Sequence, residues 1–172
     1  MEADLSLIGL ISDTHGLLRG EALEALRGSD LIVHAGDVGA MDILERLREI
    51  APVFAVKGNI DKDATLPATA IMHAGDTVLY VIHDVKKLDL DPAAAGVHIV
   101  VSGHSHKPGR LERNGVMYIN PGSAGPRRFH LPVTVARLDL AVRPWKPELI
   151  DLLAGGPPAP GLTGTPLPPS QT

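Results

Sequence analysis

Short apolar runs recur through the first third of the chain, with helical or turn-like stretches between them. Residues 5–11 (LSLIGLI), 31–35 (LIVHA) and 53–56 (VFAV) read as buried strands. Residues 20–27 (GEALEALR) have helical spacing. In 41–50 (MDILERLREI), Ile43, Leu44, Leu47 and Ile50 share one helical stripe, with Glu45, Arg46, Arg48 and Glu49 outside it. This β-α-β-α-β order implies parallel strands joined by crossover helices.

The pattern then changes. Residues 68–84 (ATAIMHAGDTVLYVIHD) form two strand-like halves that meet at Gly75-Asp76, the mark of a hairpin. A short helix is expected in 88–96, starting near Asp91-Pro92, and 97–103 (VHIVVSG) is another strand. Asn114-Gly115 joins two strand-like runs in 110–120, a strong two-residue hairpin signal. Residues 133–140 give a further strand, and a last one is expected near 149–153. A parallel first half and an antiparallel second half point to two packed sheets with helices outside. The domain is expected to span 1–154. Residues 155–172 hold six prolines, four glycines and no charge, so a flexible tail is expected there.

The chemistry lies in the residues that close each apolar run. The first run ends in Asp13-Thr14-His15, the second in Asp37, the third in Asn59. Later runs end in His83-Asp84, in His104-Ser105-His106 and in Asn120-Pro121-Gly122-Ser123. One Asp or Asn after a strand is usually a turn former or a helix cap. His73, His98 and His130 are assigned structural roles, and His34 lies within a strand as a core or supporting group. The joint pattern is different. Ligand sites of α/β sheets form beyond the carboxyl ends of the strands. Asp13, His15, Asp37, Asn59, His83, His104 and His106 should therefore converge on one rim. Strand alternation would put Asp13 with His15, and His104 with His106, on common faces.

Seven ligands exceed one site that must keep a position for substrate. Two ions about 3.5–4 Å apart that share a carboxylate would use the set fully. Three oxygen donors and four imidazoles suit Mn, Fe, Ni or Zn better than Mg or Ca. Two divalent ions carry about +4, against about −2 from Asp13 and Asp37 and about −1 from a bridging hydroxide, so an anionic substrate is favoured. Such a pair polarises a phosphoryl oxygen and lowers the pKa of bound water from about 15.7 to about 7. Phosphoester hydrolysis is the reaction class.

Composition narrows the partners. The net charge of −4 and the 3% aromatic content give neither the basic footprint for duplex nucleic acid nor the stacking platform for single strands. There are no cysteines, which excludes disulfides and thiolate ligands. The acidic start MEADLSL lacks a basic n-region, and no apolar run reaches the roughly 18–20 residues of a bilayer span, so a cytoplasmic protein that stays off membranes is expected.

Asp-x-His at 13–15, Gly-Asp at 36–37, Gly-Asn at 58–59, His83 and Gly-His-x-His at 103–106 resemble the calcineurin-like metallophosphoesterases. HAGD at 34–37, GHSHKP at 103–108 and NPGS at 120–123 more closely resemble the small YfcE-type phosphodiesterases, and the match runs over roughly 7–140. The resemblance implies a four-layer α/β/β/α sandwich. It implies a first ion on Asp13, His15, Asp37 and His106, and a second on Asp37, Asn59, His83 and His104. Asp37 would bridge, and a bridging hydroxide would attack phosphorus in line, with Asp37, Asn59 and His104 positioning and stabilising charge. Mn²⁺ is the implied ion, with Ni²⁺, Fe²⁺ or Zn²⁺ as alternatives. A small phosphoester is the implied substrate, and a homodimer or homotetramer the implied assembly.

The chain departs from the family at two places. Many members follow Gly-Asn with a histidine that protonates the leaving group; here Ile60 stands there, followed by Asp61. After His83 the family usually has Gly; here it is Asp84, expected to point to solvent. A phosphomonoesterase and a non-catalytic scaffold of the same fold, as in the retromer subunit with its degraded metal site, are the competing readings.

Overall fold

The computed structural model describes residues 5–154, and the expected 155–172 tail lies outside them. Among the described residues, ten strands form two five-stranded sheets. The first holds β1 (Leu7–Ile11), β2 (Leu31–His34), β3 (Val53–Ala55), β9 (Thr134–Asp139) and β10 (Glu148–Asp151), in the order β10-β9-β1-β2-β3. The second holds β4 (Thr69–Ala74), β5 (Thr77–Ile82), β6 (Ile99–Val101), β7 (Gly109–Arg113) and β8 (Val116–Asn120), in the order β4-β5-β6-β8-β7.

The first sheet is parallel at β1, β2 and β3, as the crossover pattern requires, and β9 and β10 extend it antiparallel. The second half of the chain is not simply antiparallel. The hairpins at Gly75 and Gly115 form as expected, but β5, β6 and β8 run parallel between the strands β4 and β7. Both sheets are thus mixed.

Alternation along β1 and β2 sorts the two apolar layers. Ile8, Leu10, Leu31 and Val33 face the second sheet, where they meet Leu79, Val81, Ile99, Val101 and Ile119. Ile11 and Ile32 face the helices α1 (Gly20–Leu26) and α2 (Asp42–Arg48), which bury Ala22, Leu26, Ile43, Leu44 and Leu47. Each fully buried Leu or Ile contributes about 1.5–3 kcal/mol of transfer free energy, so a charge at Leu47 would detach α2. Gly9 sets the approach of α1: a Cβ there would lie 2.8 Å from both Leu26 Cδ2 and Ser29 Oγ.

The outer face of the second sheet carries a thinner layer. Val85, Leu88, Leu90 and Val97 pack there against Tyr80, Ile82 and Val100. This segment contains a 3₁₀ turn at Val85–Lys87. The helix expected after Asp91-Pro92 is a set of closed turns instead. Asp91 Oδ1 accepts from the N–H groups of Ala93 and Ala94, and Gly96 ends the run at φ +77°. So short a stretch cannot propagate a helix beyond its costly nucleus.

Candidate metal centre

Every parallel strand of the first sheet, and β5 and β6 of the second, ends at the same rim. The loops after β1 and β2 are knit together there. The N–H groups of Asp13, His15 and Gly16 donate to the carbonyls of Gly36, Asp37 and Val38 at 2.9–3.0 Å. The Gly103 N–H donates to His83 O at 2.9 Å, joining the ends of β5 and β6. Glycines let these loops touch the carboxylates: a Cβ on Gly58 would strike Asp37, and one on Gly103 would strike Ser12 Oγ and Asp13 Oδ2.

The backbone itself is unusual at the rim. Asp13, His15, Asp37, His104 and His106 all have positive φ, between 46° and 71°. Non-glycine residues in this region cost free energy and persist only where the surroundings over-determine them. The expected face-sharing by strand alternation is therefore corrected for His104 and His106, whereas Asp13 and His15 do come together, through left-handed backbone rather than strand alternation. His104 and His106 do not lie in extended chain, and they diverge. The His106 ring pairs with His15, at 5.3 Å between centroids, whereas His104 pairs with His83 at 5.2 Å.

Two carboxylate oxygens lie among these imidazoles. Asp13 Oδ1 is 3.2 Å from His106 Nε2, 3.7 Å from His15 Nε2 and 3.9 Å from His83 Nε2. Asp37 Oδ2 is 3.3 Å from His83 Nε2 and 3.5 Å from His15 Nε2. Asp13, His15 and His106 form one group able to grip a cation, and Asp13, Asp37 and His83 form another. Asn59 and His104 stand exposed at the mouth, next to Gly58 and Gly103 respectively.

The outer atoms of these side chains are anchored so that the inner ones point in. Asp13 Oδ2 accepts from Ser12 Oγ at 2.7 Å and from the His104 N–H at 3.1 Å. Asp37 Oδ1 accepts from the Ile60 N–H at 3.1 Å. His83 Nδ1 donates to Ala35 O at 2.7 Å, which turns its Nε2 inward. Asp13 Oδ1 and His83 Nε2 are left buried without a hydrogen-bond partner. A buried carboxylate oxygen and imidazole nitrogen without partners are costly unless a cation meets them. The donor set present fits divalent cations.

Electrostatics agree. Burial opposes ionisation of Asp37, but the approach of His83, the Ile60 N–H and the charge of His15 overcome it and hold its pKa at about 2. Burial likewise opposes ionisation of Asp13, and the approach of His106, the Ser12 hydroxyl and His83 lower its pKa below the usual value. Burial holds the His15 pKa down against the pull of Asp37 and Asp13. Both carboxylates stay charged, and His15 keeps a ligand lone pair, at neutral pH.

Several neighbours have roles that the sequence did not reveal. His34 is wholly buried: Nδ1 accepts from the Gly36 N–H and Nε2 donates to Thr14 Oγ1, which donates to Val38 O. Burial pushes its pKa down to about 4. Asp61 accepts from the N–H groups of Val38, Gly39 and Gly58, clamping the loops after β2 and β3. Asn120 Nδ2 donates to Gly103 O and Ser105 Oγ, fixing the loop that bears His104 and His106. Ser123 Oγ donates to Asp13 O. A polar residue closing an apolar run was the signal available for Asn120. Asp84 does not point to solvent: its Oδ2 faces His104 Nε2 at 3.7 Å. His73, His98 and His130 are exposed and belong to neither group of candidate ligands.

A family model described as the calcineurin-like phosphoesterase superfamily domain matches residues 7–143. The chain belongs to that superfamily. It is 38% identical over 130 residues to a probable metallophosphoesterase of Methanocaldococcus jannaschii, covering 68% of this chain and 67% of the relative. Its fold is similar to that of YfcE, a phosphoesterase from E. coli, with a TM-score of 0.68, 24% identity, and coverage of 89% of this chain and 97% of the other. It is also similar to Vps29 from Entamoeba histolytica, a structure complexed with zinc, at a TM-score of 0.71, 23% identity and 87% and 94% coverage. Among the described residues no helix is long and apolar enough to cross a membrane.

Proposed function

We propose that this metallophosphoesterase domain is a dinuclear phosphodiesterase, with Asp13, His15, Asp37 and His106 on one ion and Asp37, Asn59, His83 and His104 on the other. The observation that carries the reading is the pair of histidine pairs, His15–His106 and His83–His104, with Asp13 Oδ1 and Asp37 Oδ2 beside them. Two bound divalent ions, Mn²⁺ in the first instance, supply Lewis acidity toward a phosphoryl oxygen and activation of a water for in-line attack. The chain supplies the rest. The lowered pKa values of Asp13 and Asp37 keep the site anionic and ready for cations at neutral pH. The Ala35 carbonyl fixes the tautomer of His83. The strained backbone at five candidate ligands is held by loop-to-loop hydrogen bonds, so the site is built before substrate arrives.

The diester reading follows the resemblance at residues 103–108 and 120–123, and the residues at the rim bear on the leaving group. Ile60 is 45% exposed and has no proton to give. The nearby alternatives are occupied: Asp61 is held by three backbone N–H groups, and both ring nitrogens of His34 are bonded. Without a general acid, the reaction depends on a leaving group that departs unaided. Hydrolysis of bis(p-nitrophenyl) phosphate alongside p-nitrophenyl phosphate by Mn²⁺-loaded protein tests this. A higher kcat/KM for the diester is expected. A preference for the monoester would transfer the reading to a phosphomonoesterase, and turnover of neither would leave a binding scaffold.

A further inference from the structure

Asp84 follows His83 directly and sits between two duties. Its Oδ1 accepts from the Lys86 N–H at 3.1 Å and so caps the 3₁₀ turn at Val85–Lys87. A cap needs one oxygen. The second, Oδ2, faces His104 Nε2 at 3.7 Å, and the Asp84 side chain is only 16% exposed. His104 has few other restraints. Its side chain is 40% exposed, its backbone is at φ +71°, and its ring stands edge-on to His83 at 82°. An exposed imidazole on a loop would otherwise sample several rotamers, and each must be given up on binding an ion.

We infer that Asp84 is a positioning residue for His104: its carboxylate, within ion-pair range of Nε2, favours the Nε2–H tautomer and leaves Nδ1 as the nitrogen for a cation. A carboxylate behind a ligating histidine orients the ring and raises its basicity. The anion also adds attraction for a divalent ion at the exposed side of the site. His83 has its own support of this kind, since its Nδ1 donates to Ala35 O. The inference rests on the dinuclear reading.

Calorimetric titration of Mn²⁺ into the chelator-stripped full chain tests it without reference to turnover. His104→Ala first identifies the site to which His104 belongs. Asp84→Asn and Asp84→Ser both keep an oxygen to cap the turn but remove the anion. Each should raise the Kd of that site about 10–100-fold and leave the other site within about twofold. In the His104→Ala background the same changes should add nothing. Unchanged affinity in both Asp84 variants, or an equal loss with and without His104, would overturn the inference while the dinuclear reading stands. A parent protein that binds a single Mn²⁺, or none, would overturn both.

Discussion

The Nε2 atoms of His15 and His106 lie 3.4 Å apart, though the two residues are 91 positions apart in the chain. Two ring nitrogens at this distance need a proton or a cation between them. Asp13 Oδ1 and Asp37 Oδ2 bring negative charge to the same place. The geometry favours the cation.

Asp37→Ala should be more damaging than Asn59→Ala. Asp37 Oδ2 reaches imidazoles of both histidine pairs, and it supplies charge. Asn59 is neutral and stands at the exposed mouth. Elemental analysis of the Mn²⁺-loaded proteins should find both ions lost in the first variant and mainly one lost in the second. Activity in Asp37→Ala should fall by more than the roughly 10–100-fold expected for a supporting residue. Equal metal content in the two variants would remove Asp37 from the bridging role.

The leaving group should govern the rate. A general acid typically contributes about 10²–10⁴-fold, and Ile60 cannot act as one. A series of aryl and alkyl diesters should show rates that fall steeply as the leaving-group pKa rises. Ile60→His should flatten that dependence by helping the poorest leaving groups most. A flat series in the parent protein would mean that another residue already donates the proton.

His34 should make the metal-free domain sensitive to acid. Its folded pKa is about 4, below the ordinary 6.5, because burial disfavours the imidazolium; Asp13, Asp61 and Asp37 pull the other way and His83 adds to the burial. Between pH 6.5 and about 4 the unfolded chain binds the proton and the native one does not, so stability falls as pH falls through that window. The loss from this one group is on the order of 3 kcal/mol. Asp13 and Asp37 add a separate loss at lower pH, through their own lowered pKa values. Denaturant titrations of wild type and His34→Gln from pH 7 to pH 4.5 should therefore converge: the variant starts less stable but has the shallower slope. Parallel slopes would show that His34 is protonated in the native state.

The sheet strands and most of the rim were readable from the sequence because each apolar run ends in a side chain that no core would accept. Asp13, Asp37, His83 and His106 are the plainest cases, since all four are buried at strand ends. The features that stayed hidden depend on backbone that leaves the regular regions. The rule that i and i+2 share a face fails for His104 and His106 because both sit at positive φ, a conformation with no sequence period. Asp61 and Asp84 look alike in the sequence, as carboxylates just beyond a candidate ligand, but one is consumed by three amides and the other turns toward His104. The parallel alignment of β5, β6 and β8 was hidden because only hairpin partners announce themselves locally.

Gly103→Ala isolates packing from chemistry. The added methyl would meet Ser12 Oγ and Asp13 Oδ2, displacing the candidate ligand. Stability should drop by about 1–3 kcal/mol, the usual cost of overpacking, and Mn²⁺ affinity should fall with it. A variant with wild-type melting and wild-type Mn²⁺ binding would mean that the loops move freely, against a site built in advance of its ions.

Metal dependence is the most direct measurement. The protein is stripped with chelator, its residual metal is determined, and Mn²⁺ is added back in steps while bis(p-nitrophenyl) phosphate hydrolysis is followed. The account predicts no turnover in the stripped protein and recovery that completes at two ions per chain. Turnover that survives full demetallation, or that saturates at one ion, would contradict the dinuclear centre.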